Sequence, residues 1–143
     1  MIRTAFDDFP TPPCAALLGT RLVAARPSEG WLRMAFDGRE AFLNPAGFIQ
    51  GGLLAAMLDD TMGPAVLLMT EGSTYTVTLD MHVTYFEAAR PGPIFGEATV
   101  IRLGKTIGFV EGRLMSEHGV LLARASATAR LVPTTKLAGA KER

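Results

Sequence analysis

Residues 51 to 69 read GGLLAAMLDDTMGPAVLLM, a long apolar run that opens on two glycines and carries two carboxylates, Asp59 and Asp60, in its middle. Leu, Ala and Met dominate it, and β-branched residues are almost absent until Val66, so the segment predicts one helix from Gly51 to about Met69. A helix that is apolar on most sides must be covered on most sides. One small sheet covers a single flank, so a second subunit is expected. The two acids pose the functional question, because an unpaired carboxylate embedded among apolar residues is costly to keep.

Around this helix the chain changes character. Upstream, PTPPCAALLG predicts a short helix begun by Pro12 or Pro13 and stopped at Gly19. RLVAARP and GWLRMAFD follow as strands separated by a turn at Ser28-Glu29-Gly30, and EAFLN reads as a short extended lead-in. Downstream, TYTVTLDMHVTYFEAA is dense in Val, Thr and Tyr and alternates, which predicts a strand ended by Pro91-Gly92-Pro93. IFGEATVIRLG, TIGFVEGRLMS and GVLLARASATARLV are three more strands, separated by Gly104-Lys105 and Glu117-His118-Gly119, and such short turns imply an antiparallel meander. The chain therefore reads as a single α+β domain over residues 1–143, with an N-terminal flank at 1–19 and a mobile tail at 133–143.

Composition narrows the function classes. Lys plus Arg equals Asp plus Glu at 14 each, with no basic block to neutralise a phosphate backbone, which argues against nucleic acid. Cys14 is the lone cysteine and no Cys/His cluster has zinc-ligand spacing, which fits a reducing cytoplasm and no bound metal. The start lacks the uninterrupted apolar stretch of a secretory signal. Asp59, Asp60 and Pro64 interrupt the most apolar segment, so it is not expected to cross a bilayer.

Asn44, Gly47, the run Gln50-Gly51-Gly52, Asp59 eight residues after Gly51, and TLDMHVTYFEAARPG from Thr78 to Gly92 occur in an order that resembles the hotdog-fold acyl-CoA thioesterases. The branch in question is that of the phenylacetate-pathway enzymes, also called PaaI-like. The likeness extends through LGKTIGFVEGRLMSEHGVLLARASATARLV and covers roughly residues 20 to 132. It implies a hotdog fold, a curved antiparallel sheet wrapped around one long central helix. It also implies hydrolysis of a small aryl or medium-chain acyl-CoA without metal or redox cofactor, in a homodimer that pairs into a homotetramer. The sequence departs from the family at one place: Gln50 stands where a His usually precedes the glycine pair. A Gln amide still donates a hydrogen bond but cannot titrate near neutral pH.

Within that resemblance, thioester hydrolysis needs donors aimed at the carbonyl oxygen where charge develops, and a helix N-terminus provides unpaired N–H groups. Gly51 sits at such a start, and the bare backbone of Gly51 and Gly52 allows close approach. Asp59 matches the family's carboxylate, as nucleophile or general base. Asn44 and Thr78 match polar positions that orient the carboxylate or the attacking group. Asp60, about 100° further round the helix, is given a structural role. Gly51 and Asp59 are separated by roughly 12 Å of helix, so one helix cannot bring both to one carbonyl. Two antiparallel helices across a two-fold axis would set Gly51 of one chain against Asp59 of the other.

Leu54, Met57, Leu58 and Phe86 are candidate walls of the acyl pocket, with Gln50 and Gly52 beside them. Arg90, Arg102 and Lys105 are candidate partners for the CoA phosphates. His82, in a strand, and His118, in a turn, read as structural or exposed, and Met57, Met62, Met69 and Met81 as gap-fillers or pocket walls. The rival function is a non-catalytic acyl-CoA binder or sensor on the same fold. A hotdog dehydratase or hydratase is disfavoured because its paired His and carboxylate motif is missing.

Overall fold

The computed structural model describes residues 3–137, and the expected tail beyond that point lies outside the described residues. The first regular helix, α1 (Pro13–Leu18), begins on a proline and ends at Gly19, whose φ of 68° is the left-handed geometry that glycine adopts without strain. Strands β1 (Arg21–Arg26) and β2 (Trp31–Gly38) form an antiparallel pair. The expected extended lead-in at EAFLN is instead a 3-10 turn, Glu40–Phe42, because Phe42 is drawn into the core there. Helix α2 runs from Gly51 to Met69, and β3 (Thr74–Tyr85), β4 (Gly92–Leu103), β5 (Ile107–Ser116) and β6 (Leu121–Pro133) follow. Residues Thr134–Lys136, placed in the tail by sequence, form a 3-10 turn in which the Thr134 hydroxyl donates to the Gly72 carbonyl at 2.8 Å.

All six strands make one antiparallel sheet in the order β1-β2-β4-β5-β6-β3. β4, β5 and β6 form the expected meander; β3 pairs with β6 at the far edge, and β4 slots in beside β2. The link from β3 to β4 thus passes three strand spacings, roughly 14 Å, which its six residues reach with ease. It is held on the way: Phe86 N–H donates to the Leu122 carbonyl at 2.8 Å, and the carbonyl of buried Ala89 accepts from Ile49 N–H at 2.9 Å.

The sheet packs against α2, which touches β2, β3, β4, β5 and β6, the hotdog arrangement. Bulk comes from the helix and space from the sheet. Met57, Leu58, Met62 and Val66 are buried against strand faces that carry Ala123, Ala125, Ala127 and Ala129 on β6, Gly112 on β5, and Gly96 and Ala98 on β4. A Cβ on Gly112 would stand 2.9 Å from the Met62 side chain, so any other residue there would force Met62 to shift. By length and hydropathy α2 is in fact long and apolar enough to cross a membrane, at 19 residues and 1.3, contrary to the expectation from its interruptions. Its packing against five strands makes it a core helix.

Pro64 lies inside α2 without ending it. Having no N–H, it leaves the Asp60 carbonyl without the usual bond from four residues ahead. The Asp60 side chain is held separately: the Thr20 hydroxyl, between α1 and β1, donates to its Oδ2 at 2.6 Å. Burial pushes the Asp60 carboxyl above the usual carboxylate range; the Thr20 bond pulls it back down and the charge of Asp59 adds to the rise. The structural role expected for Asp60 is a tie between the helix and the start of β1.

This burial has a pH-dependent consequence. The unfolded chain loses the Asp60 proton near the ordinary value of about 3.9, and the folded chain only at higher pH. As pH rises past the unfolded value the unfolded state is therefore favoured, and the full penalty is present once the folded group ionises as well. Asp60→Asn keeps an acceptor for Thr20 and removes the charge. Thermal unfolding should show a gain in Tm that is larger at pH 7 than at pH 4; an equal or reversed gain would contradict the buried-charge account.

Candidate active site

Residues 43 to 50 deliver the chain to the first turn of α2 through a pinned loop. Leu43 and Ile49 form an isolated antiparallel bridge, and Gly47, at φ 86°, closes the turn by donating to the Asn44 carbonyl at 3.0 Å. The Asn44 side chain is part of this turn, its Oδ1 accepting from Ala46 N–H at 3.0 Å and Phe48 N–H at 3.2 Å. Only its amide NH2 is left to meet anything else. Gln50 is the N-cap; its backbone N–H donates to the Phe42 carbonyl, while its exposed side chain makes no capping bond.

At the helix start the N–H groups of Gly51 and Gly52 have no partner among the described residues, whereas Leu53 and Leu54 both donate to the Gln50 carbonyl, at 2.9 and 3.3 Å. The two glycines have different surroundings. A Cβ on Gly51 would meet the Tyr85 ring at 3.3 Å, while one on Gly52 would meet nothing within 4 Å. Gly51 thus makes room for Tyr85, and Gly52 keeps the surface open. The Tyr85 hydroxyl donates to the Gly51 carbonyl at 2.7 Å.

Two turns further along α2, the Thr78 hydroxyl donates to Asp59 Oδ1 at 2.7 Å. Both were candidate site residues by resemblance, Thr78 as a partner of the attacking group, and the chain folds them into contact across helix and strand. Their surroundings differ from expectation: Asp59 is exposed in the single chain, because it lies on the flank of α2 that the sheet leaves uncovered. A carboxylate there keeps its hydration while Thr78 fixes its orientation.

Both contacts depend on a bulge in β3. Thr78 and Tyr85 are seven residues apart and would face opposite sides of a regular strand. The register with β6 runs Thr78 to Ala129 and then Asp80 to Thr128, leaving Leu79 as an extra residue. The insertion reverses the alternation, so Thr78 and Tyr85 both reach α2, at Asp59 and Gly51 respectively. Tyr85 is the site residue that sequence reasoning missed. Its only signal was an aromatic at the end of the strand, which alternation alone does not connect with Gly51.

The remaining candidates divide. Leu54, Met57 and Leu58, the candidate pocket walls, lie in the core of the single chain, 3%, 0% and 0% exposed, where their large side chains fill the space against the sheet. Phe86 is half exposed near Tyr85. Arg90 stacks over the Phe48 ring with its guanidinium 5.4 Å from the centroid, beside the loop that leads into α2. Arg102 and Lys105 are at the other end of the strands, where Leu103, Gly108, Ala129 and Thr78 share a row. Arg102 pairs with exposed Phe109, on the sheet face turned away from α2. His82 lies opposite Ser126 on an exposed part of β3, and His118 is in the exposed β5–β6 turn. Two hollows, of about 370 Å³ on the outer sheet face and about 1050 Å³ between the N-terminal segment and β1, are lined by other residues than Gly51, Asp59 and Thr78.

Comparison with known proteins places this geometry. Residues 46–123, the stretch from the loop before α2 into β6, match the family model of the Thioesterase superfamily. Human acyl-coenzyme A thioesterase 13 is 33% identical over 112 residues, covering 77% of this chain and 78% of that protein. The crystal structure of a phenylacetic acid degradation-related protein from Ralstonia eutropha JMP134 is 33% identical and superposes with a TM-score of 0.82 over 88% of this chain and 95% of that one. The E. coli PaaI protein shares the fold at 17% identity, with a TM-score of 0.76 over 90% and 91% of the two chains. A long helix packed under a six-stranded antiparallel sheet is in this chain the hotdog fold of a thioester hydrolase, and the chain belongs to the thioesterase superfamily.

Proposed function

We propose that the chain is an acyl-CoA thioesterase that hydrolyses a small aryl or medium-chain acyl-CoA to the free acid and CoA. Asp59 acts as nucleophile or general base, and the Gly51 N–H of a second copy receives the charge that develops on the thioester oxygen. The Thr78–Asp59 bond carries this reading, since it fixes one carboxylate oxygen and leaves Oδ2 for the reaction. In the general-base course Oδ2 takes a proton from water, the water oxygen bonds to the acyl carbon, and the C–S bond breaks with the electron pair leaving on the CoA sulfur. In the nucleophilic course Oδ2 makes that bond itself and water later releases the acid. Either course places negative charge on the carbonyl oxygen, which is where a helix N-terminus stabilises it.

A second copy is part of the proposal for a geometric reason. Gly51 and Asp59 stand roughly 12 Å apart on one helix, too far to share a carbonyl. β3 offers the place to join, because among the described residues it pairs only with β6 and its other edge is open there beside exposed Val77 and Leu79. Antiparallel pairing of two β3 edges would reverse one α2 relative to the other and bring Gly51 of one copy towards Asp59 of its partner. The coenzyme A in the name of the human relative supports the substrate class, and Arg90 beside Phe48 is a cation available to its phosphates.

A thiol-release assay across aliphatic and aryl acyl-CoAs tests the activity. Asp59→Asn should lower kcat by about 10²-fold or more, as loss of a positioned acid–base group does. Thr78→Val should lower it about tenfold, in line with one hydrogen bond to a charged group. Tight acyl-CoA binding without thiol release by the wild type would instead mark a binding protein. Random mixing of inactive Gly51 and Asp59 variants should restore about a quarter of wild-type activity, because half of the dimers are hybrids with one intact site of two. Verified hybrids with no activity would remove the shared site.

A further inference from the structure

We propose that Tyr85 is a positioning residue that sets the donor strength of the first exposed amide of α2, and that the Gly52 N–H joins Gly51 in receiving the oxyanion. This rests on the thioesterase reading above. The Tyr85 hydroxyl donates to the Gly51 carbonyl at 2.7 Å, and that carbonyl belongs to the same peptide unit as the Gly52 N–H. A hydrogen bond accepted at the oxygen of an amide draws electron density from its nitrogen and strengthens its N–H as a donor. The regular helix adds a second bond to the same carbonyl, from the N–H four residues ahead.

The preceding peptide unit has a matching arrangement. The Gln50 carbonyl accepts from both Leu53 and Leu54, and its partner N–H is that of Gly51. The two N–H groups at the helix start without partners among the described residues therefore sit on peptide units whose carbonyls each accept two hydrogen bonds, and for the second unit the additional donor is Tyr85. Space agrees with this assignment. Nothing stands within 4 Å of a Cβ placed on Gly52, so a ligand oxygen can reach its amide, whereas the Gly51 Cα is covered by the Tyr85 ring. The ring seat and the hydroxyl bond also fix the orientation of that peptide plane from outside the helix.

Two readouts test this, one of which does not need turnover. Tyr85→Phe keeps the ring on Gly51 and removes the hydroxyl. The Gly52 amide proton resonance should then move upfield, and kcat for a turned-over acyl-CoA should fall about fivefold with KM changed less than twofold, a fraction of the loss from deleting a whole oxyanion donor. With 3-fluorotyrosine and 3,5-difluorotyrosine at position 85, at a pH where the phenol stays protonated, kcat should rise with phenol acidity; a purely structural Tyr85 predicts no such trend. An unmoved Gly52 resonance, an unchanged kcat in Tyr85→Phe, or a flat fluorotyrosine series each overturns the proposal. If the wild-type protein turns over no acyl-CoA while the Gly52 resonance still moves, the thioesterase reading and with it any catalytic role for Tyr85 fails, but the polarising contact itself stands.

Discussion

Helix α2 is pressed onto its sheet along one side, and that side is filled: methionines, leucines and Val66 of the helix sink into strand faces built from alanine and glycine. An ionised carboxylate has no place there, since nothing in the sheet could replace its water. Asp59 is therefore confined to the open flank, in line with Gly52 and within reach of the edge strand. The same close packing that stabilises the fold thus decides where reactive groups are allowed. Asp60, one residue later, shows the cost of the other choice: turned towards β1, it is half-buried, and its carboxyl is pushed away from its ordinary ionisation.

The edge strand gives this open flank its candidate site. β3 contacts α2 at two polar points, a hydroxyl to a carboxylate and a hydroxyl to a backbone carbonyl. Each orients a group through one atom and leaves another uncontacted by that bond. Thr78 leaves Oδ2 of Asp59, and Tyr85 binds the oxygen side of a peptide whose nitrogen side faces outward. The site is open in a single chain because its groups are spread along the helix.

Much of this was legible in the amino-acid sequence, for local reasons. The limits of α2, the proline start and glycine stop of α1, and the existence of all six strands follow from side-chain chemistry within a few residues. The resemblance located Gly51, Asp59 and Thr78, and the Thr78–Asp59 contact is now explicit. What was not legible depends on distant residues. The position of β3 beside β6 rests on pairing between segments far apart in the chain, and no turn signal encodes that. The bulge is hidden by β3's own pattern: Val77, Leu79, Met81, Val83 and Tyr85 alternate without a break and read as one face. In the fold, Val77 and Leu79 are exposed while Met81 and Val83 pack against the core. EAFLN misled for a similar reason, since only the core draws Phe42 into a turn.

The strand order also has a kinetic consequence. β2 and β4 are direct neighbours, with Trp31 opposite Thr99, yet all of α2 and β3 lies between them in the chain. This closure cannot precede synthesis of the helix, and long-range pairing of this kind slows the search for the native state. Until β4 inserts, β1 and β2 remain a hairpin detached from β4–β6, with apolar strand surface unprotected. A nascent chain of this topology therefore depends on α2 as the template around which its two halves meet.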